Sequence, residues 1–260
     1  MLSVRLQGGL GNQLWQTACA QGVAEATGRT LVFATEATPP SAHSTTDYFQ
    51  GVLKPWAAYV PNYIGMLYRE QSVRQEDISG AVARMPAHIP VLLDGYFQNY
   101  KYIPESFCPR LRAALPAPPP LPSTAAFLHV RGGDYVHHWF HDVGLNKASY
   151  YERAIALFPP DTVFYLFTND KEYAEAQPWL DDLYGRVVWQ ASAVEEQALA
   201  AMAACPRGGI CPNSTFSWWA AYICSRAQAP GTYVLPSAWF NDPAMYVEGY
   251  FFPEAKVLTV

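Results

Sequence analysis

The sequence predicts an α/β protein built on parallel sheets, and three observations carry that prediction. Beyond residue 123, strand-like runs alternate strictly with helical stretches, a pattern that demands crossover helices between parallel strands. Near the amino end, a first strand runs into a glycine loop that opens a long helix, the beginning of a second unit of the same kind. Between the two lie five prolines within residues 116–122, a stiff, extended run that continues neither a helix nor a central strand. The chain is therefore read as an N-terminal α/β domain over 1–115, a proline-rich linker over 116–122, a C-terminal Rossmann-like domain over 123–240 and a tail over 241–260.

Taken in order, residues 2–7 read as a strand, 8–11 as the glycine loop and 12–27 as a helix stopped by Gly28. A strand at 30–33 follows. Pro39, Pro40, Pro55, Pro61 and Pro86 break up the aromatic stretches of 36–90, and no element is assigned there. Residues 91–98 form the next strand. In the C-terminal domain the strands fall at 124–130, 162–167, 186–190 and 232–235, and the helices at 147–157, 171–180, 194–204 and 216–226.

Composition narrows the classes of function. The chain has 260 residues, half of them hydrophobic, enough for a substantial core. A net charge of -5 and a pI near 5.7 exclude a broad nucleic-acid or anionic-membrane surface, while leaving room for one local arginine site. No run approaches the roughly 18–20 apolar residues that span a bilayer. The first strand meets Gly8 and Gly9 too early to be the apolar core of a signal peptide. Five cysteines without a Cys-x-x-Cys pair read as reduced, buried thiols. A cytoplasmic protein with no nucleic-acid partner is expected.

Three segments carry chemistry. Phe127-Leu128-His129-Val130-Arg131-Gly132-Gly133-Asp134-Tyr135 places an arginine, two glycines and an aspartate where an apolar strand stops, at the edge where open α/β sheets hold ligands. The planar fork of Arg131 suits two phosphate oxygens at once, and Asp134 either orients that arginine or accepts a proton. The competing reading is a surface turn closed by a local Arg131–Asp134 pair. Leu166-Phe167-Thr168-Asn169-Asp170 ends a second strand with polar groups, as ligand contacts or as caps of the next helix. The third is Cys211-Pro212-Asn213-Ser214-Thr215-Phe216-Ser217-Trp218-Trp219, where Asn213 and Ser214 are good helix caps. The residues after them put hydroxyls and amides at a positive helix end. Trp218 and Trp219 are assigned to the core.

In the N-terminal domain, Gly8-Gly9-Leu10-Gly11-Asn12-Gln13 is not the dinucleotide fingerprint, because Leu14 stands at its third glycine position. Asn12 and Gln13 offer amides to the helix start or to sugar hydroxyls and phosphate. His137, His138 and His141 near Asp142 lack a metal-ligand frame, and the chain contains no Asp-x-Asp clamp for a metal-bound nucleotide. No metal site is expected. The absence of a Gly-x-Ser-x-Gly or a phosphate-loop lysine disfavours a serine hydrolase and an ATPase.

Taken together and in order, residues 8–13, Gly95-Tyr96-Phe97-Gln98, residues 129–135, Thr168-Asn169-Asp170 and residues 213–219 resemble the α-1,2-fucosyltransferase family of inverting glycosyltransferases (family 11-like). The resemblance implies a GT-B-like fold of two Rossmann-like domains, with the N-terminal domain on the acceptor side and the C-terminal domain holding the donor. It implies transfer of L-fucose from GDP-β-L-fucose, a co-substrate, to a hydroxyl of an oligosaccharide acceptor, often the 2-OH of galactose, with neither metal nor other cofactor. The residues it implicates in catalysis are Arg131, Asp134 and Asn12. Donor contacts are implied at Gly9, Gly11, Asn12, Gln13, His129, Arg131, Asn169, Asp170, Asn213, Ser214, Thr215, Phe216 and Ser217. The family's usual His-x-Arg-Arg-Gly-Asp-Tyr has Gly132 here in place of its second arginine, which puts donor affinity or acceptor choice in question. Two other readings stand beside it: a transferase for a different nucleotide sugar, and a glycan-binding protein on the same scaffold.

Overall fold

The structure, a computed structural model, describes residues 1–34, 47–56, 58–60, 63–71, 76–147, 149–190, 194–227 and 231–260. It divides into two compact units, Met1–Leu115 with Glu248–Tyr250, and Pro116–Val247 with Phe251–Val260.

The first unit starts with β1 (Leu2–Val4), the glycine turn and α1 (Leu10–Thr27), whose end is set by Gly28 in the left-handed conformation (φ 66°). Short strands β2 (Phe33–Ala34), β3 (Tyr59–Val60) and β4 (Met66–Arg69), the helix α2 (Ile78–Ala83), β5 (Val91–Asp94) and α3 (Phe107–Ala114) follow. β5 lies between β1 and β4, and β2 pairs with β3, every pairing parallel. The strand expected at 30–33 shrinks to a single bridge from Leu31 to Leu2 followed by β2. The strand expected over 91–98 stops at Asp94. Beyond it the Glu70 carboxylate accepts the Tyr96 and Phe97 amides, and Phe97, fully buried, takes a positive φ of 52° that ends extended pairing.

The second unit is one six-stranded parallel sheet. Its elements in chain order are β6 (Ala125–Val130), α4 (Asp134–His137), α5 (Tyr150–Ile155), β7 (Val163–Thr168), α6 (Lys171–Glu175), β8 (Val187–Trp189), α7 (Glu195–Ala203), β9 (Gly208–Ile210), α8 (Thr215–Ser225), β10 (Thr232–Pro236) and β11 (Ala255–Leu258). The spatial order is β11-β10-β9-β6-β7-β8. Numbered from β6, this is the doubly wound order 3-2-1-4-5-6, which reverses direction between β6 and β9.

Alternation along β6 sorts the core. Ala126, Leu128 and Val130 join Tyr150, Tyr151, Phe164 and Trp179 in one buried cluster, leaving Phe127 and His129 to the opposite face. Trp218 and Trp219 of α8 are fully buried, as expected, in an aromatic cluster with Tyr222 and Phe252. Two strands of this sheet escape the sequence reading. β9 is Gly-Gly-Ile, and a Cβ on Gly209 would lie 2.3 Å from the Phe127 ring, so close packing of neighbouring strands demands the glycine that hides the strand. Residues 241–260, expected as a tail, supply β11 at the sheet edge, paired in parallel with β10.

Candidate functional site

Because all six strands are parallel, the segments leaving β6, β7 and β9 emerge along one edge of the sheet. The reversal point between β6 and β9 is where such sheets form a ligand crevice. Arg131 follows β6 directly, and residues 211–217 lead from β9 into α8. The two are neighbours: the His129 ring meets Phe216 edge-on at 6.1 Å, and the Asn213 side chain reaches the carbonyl of His141.

The turn after Arg131 is held by β7. Asn169 Oδ1 accepts the Gly132 amide and Asp170 Oδ2 accepts the Gly133 amide, both at 3.0 Å. Asp170 Oδ1 also accepts the Tyr173 amide at 3.0 Å, which makes Asp170 the N-cap of α6. Both oxygens of Asp170 thus have structural duties, and the capping alternative raised from the sequence is realised. Gly133 has φ 60°, ψ -124°, a backbone state that strains any other residue. Gly132 is buried, and a Cβ there would lie 2.6 Å from Asp170 Cβ and 2.9 Å from Tyr173 Cδ1. The glycine at the family's second arginine position is therefore required by this packing. Asp134 begins α4.

The guanidinium of Arg131 lies over the Tyr135 ring, 4.8 Å from its centre. Tyr135 in turn stacks on His141 at 4.6 Å and 15°. His129 is buried, and its Nδ1 makes no hydrogen bond among the described residues. Burial, and secondarily the charge of Arg131, lower its pKa to about 3, so the ring is neutral at physiological pH.

On the β9 side, Ser214 is the N-cap of α8, but its side chain makes no capping bond. Asn213, expected as a cap, is buried and donates both amide hydrogens elsewhere, to the carbonyls of His141 (2.9 Å) and Trp239 (3.0 Å). The first α8 ladder bond runs from the Trp218 amide to the Ser214 carbonyl, so the amides of residues 215–217 stand outside the ladder. No acidic residue occupies the first turn, and the buried Ser217 hydroxyl makes no hydrogen bond among the described residues. Partial positive charge at this helix end suits an anion.

In the first unit, Gly9 is the N-cap of α1 and its carbonyl accepts the Asn12 and Gln13 amides. Gly11 lies buried in the first turn of α1, and Gln13 Nε2 donates to the Gly8 carbonyl. Asn12 Oδ1 accepts from Gln98 Nε2 at 2.9 Å, and Gln98 Oε1 accepts from the Tyr250 hydroxyl at 2.6 Å. Sequence reasoning missed the bracing roles of Gln98, Tyr135 and Tyr250. The available signal was Tyr135, four residues beyond Arg131 and in the first turn of the short helix α4. Among the described residues no three His, Cys, Asp or Glu side chains gather as metal ligands would, and no helix is long and apolar enough to cross a membrane.

A doubly wound parallel sheet with an arginine and a helix amino end beside its reversal point belongs to the α/β class, here in its GT-B-like form. The chain is a member of glycosyl transferase family 11, whose family model matches residues 120–255. It is accordingly a glycosyltransferase. No curated protein matches it in sequence. Among solved structures it is similar to the NodZ α-1,6-fucosyltransferase soaked with GDP-fucose, at 16% identity and a TM-score of 0.51, covering 86% of this chain and 92% of that one. It is also similar to fucosyltransferase NodZ from Bradyrhizobium, at 16% identity and a TM-score of 0.49, covering 84% and 91%.

Proposed function

We propose that the protein moves L-fucose from GDP-β-L-fucose to a hydroxyl of an oligosaccharide, the 2-OH of a galactose being the first acceptor to test. The observation that carries this reading is that, at the reversal point of the sheet, the end of β6 that leads into Arg131 lies beside the amino end of α8, where the His129 ring meets Phe216. Membership of family 11 and the likeness to a structure soaked with GDP-fucose support the choice of donor.

On this reading the acceptor oxygen attacks the anomeric carbon as the bond to the β-phosphate breaks, with inversion to an α-linked product. GDP departs with the bonding electrons, and the acceptor proton passes to a base, for which Asp134 is the candidate. Arg131 and the amides of residues 215–217 meet the charge that grows on the leaving diphosphate. Donor preorganisation of this kind contributes about 2.7–4 kcal/mol per group, so Arg131→Ala lowers turnover roughly a hundredfold or more. His129, neutral and buried, offers its Nδ1 to the donor. Asn169 serves the donor through the turn it holds and Asp170 through the turn and the helix it caps. Gly9, beside which nothing lies within 4 Å of a Cβ position, leaves open space at the start of α1, where Asn12 offers its amide to substrate. The mechanism calls on no metal.

The test is incubation with GDP-fucose and a panel of galactosides, following GDP release and determining the linkage of the product. A thermal-shift panel of GDP, UDP and ADP separates this reading from another nucleotide sugar. Stabilisation by UDP alone, or glycan binding without GDP release, contradicts it.

A further inference from the structure

Asn213 looks from the sequence like a helix cap or a donor contact, yet neither of its amide hydrogens is left for a ligand. Both are consumed, one by a carbonyl in the loop that follows α4 and one by a carbonyl in the loop that follows β10. An asparagine amide has two hydrogens to give, so this side chain is a clasp between two loops. The clasped residue, His141, presents its ring to Tyr135, and Tyr135 presents its other contact to the Arg131 guanidinium. The same loop is braced a second time. The Asn241 amide donates to the Phe140 carbonyl at 2.8 Å, and the Phe140 and Phe240 rings lie 4.9 Å apart.

We propose that Asn213 is a positioning residue that fixes Arg131 through the His141–Tyr135 stack, so that the guanidinium is set before the donor arrives. The proposal rests on the reading of Arg131 as the group that meets the leaving diphosphate. An arginine side chain has several rotatable bonds, and an aromatic face beneath it restricts the plane of its fork. That restriction is only as firm as the ring's own support. Here support passes from a buried amide to a backbone carbonyl, then through two stacked rings to the charge. Nothing in it requires Asn213 to touch the substrate.

Steady-state kcat and donor KM with GDP-fucose, together with GDP-induced thermal stabilisation, are measured for Asn213→Asp, Tyr135→Leu and Tyr135→Phe, each alone and combined with Arg131→Ala. Aspartate keeps the shape of Asn213 and cannot donate to either carbonyl. Because a misplacement of about 1 Å costs on the order of a hundredfold, Asn213→Asp and Tyr135→Leu are expected to lower kcat about 10–100-fold. Tyr135→Phe keeps the ring and is expected to stay within about threefold of the parent. In the Arg131→Ala background, Asn213→Asp and Tyr135→Leu are expected to cost nothing further, since groups acting as a unit are not additive. Losses that multiply with Arg131→Ala, or full activity in Asn213→Asp, overturn the proposal while leaving the role of Arg131 standing. Full activity in Arg131→Ala overturns the role of Arg131 itself. If Asn213→Asp melts too low to assay, the contrast between Tyr135→Leu and Tyr135→Phe decides by the same criterion.

Discussion

Gly132→Ala adds one methyl group at the most crowded point of the turn after β6, and its cost follows from three distances. The new carbon would stand 2.6 Å from Asp170 Cβ, 2.9 Å from Tyr173 Cδ1 and 3.0 Å from Asp170 Oδ2, whereas carbon atoms in contact prefer about 3.5–4.0 Å. Relief requires Asp170 or Tyr173 to move by about 1 Å. Asp170 can move only by weakening its bonds to the Gly133 and Tyr173 amides, one of which caps α6. Overpacking of this kind costs about 1–3 kcal/mol, and a lost cap about 1 kcal/mol more. The sum, roughly 2–4 kcal/mol, lowers the melting temperature by about 5–15 °C for a domain of this size. Circular dichroism melts of the parent and Gly132→Ala, with and without GDP, measure the loss. A lower Tm and a weaker GDP-induced shift are expected, since Arg131 is the adjacent residue. A melting temperature within about 1 °C of the parent, with GDP stabilisation intact, refutes the packing argument.

Other outcomes follow from the same geometry. The neutral, buried His129 has a folded pKa near 3 against the ordinary 6.5, so the unfolded chain binds its proton first. Stability from this residue is complete above pH 6.5 and is lost as pH falls towards 3, with a slope of up to about 1.4 kcal/mol per pH unit. His129→Gln should flatten the fall in Tm measured between pH 6.5 and 4, and an unchanged slope contradicts the assignment. Tyr250→Phe removes the donor to Gln98 and so loosens the amide that orients Asn12. The expected result is a loss of about 0.5–1.5 kcal/mol in denaturant unfolding, and a loss below that range argues against the Tyr250–Gln98–Asn12 relay. Gly209→Ala drives a methyl into Phe127, with both the ring and its backbone oxygen within 2.5 Å. Little soluble protein is expected, and pairing it with Phe127→Ala should restore part of it. Failure of that rescue means that the strand spacing itself is at fault.

How far the sequence revealed the molecule depends on how local each cause is. Strict alternation beyond residue 123 is a local signal, and it located β6, β7, β8 and β10 to within a residue or two. The shorter helices differ more. The helix expected over 171–180 ends at Glu175 and resumes as a 3-10 turn from Pro178, because proline cannot donate into the α ladder. β9 was illegible because its glycines satisfy Phe127, a residue 82 positions away in the chain. β11 was illegible because an edge strand with no fully buried residue carries little hydrophobic signal. At the site, the residue types that mark the chemistry were visible as a motif, and so was the placement of Arg131 at a strand end and of residues 213–217 at a helix start. The division of labour was not. Asp170 serves as cap and turn holder, and Asn213 as a clasp, because their partners come from loops that only the folded sheet brings near.

The most direct test is the structure of the protein crystallised with GDP. The diphosphate is expected between the Arg131 guanidinium and the amides of residues 215–217, with Asn213 still bonded to the carbonyls of His141 and Trp239. GDP bound with its phosphates away from Arg131, or with Asn213 turned to hold them, contradicts it.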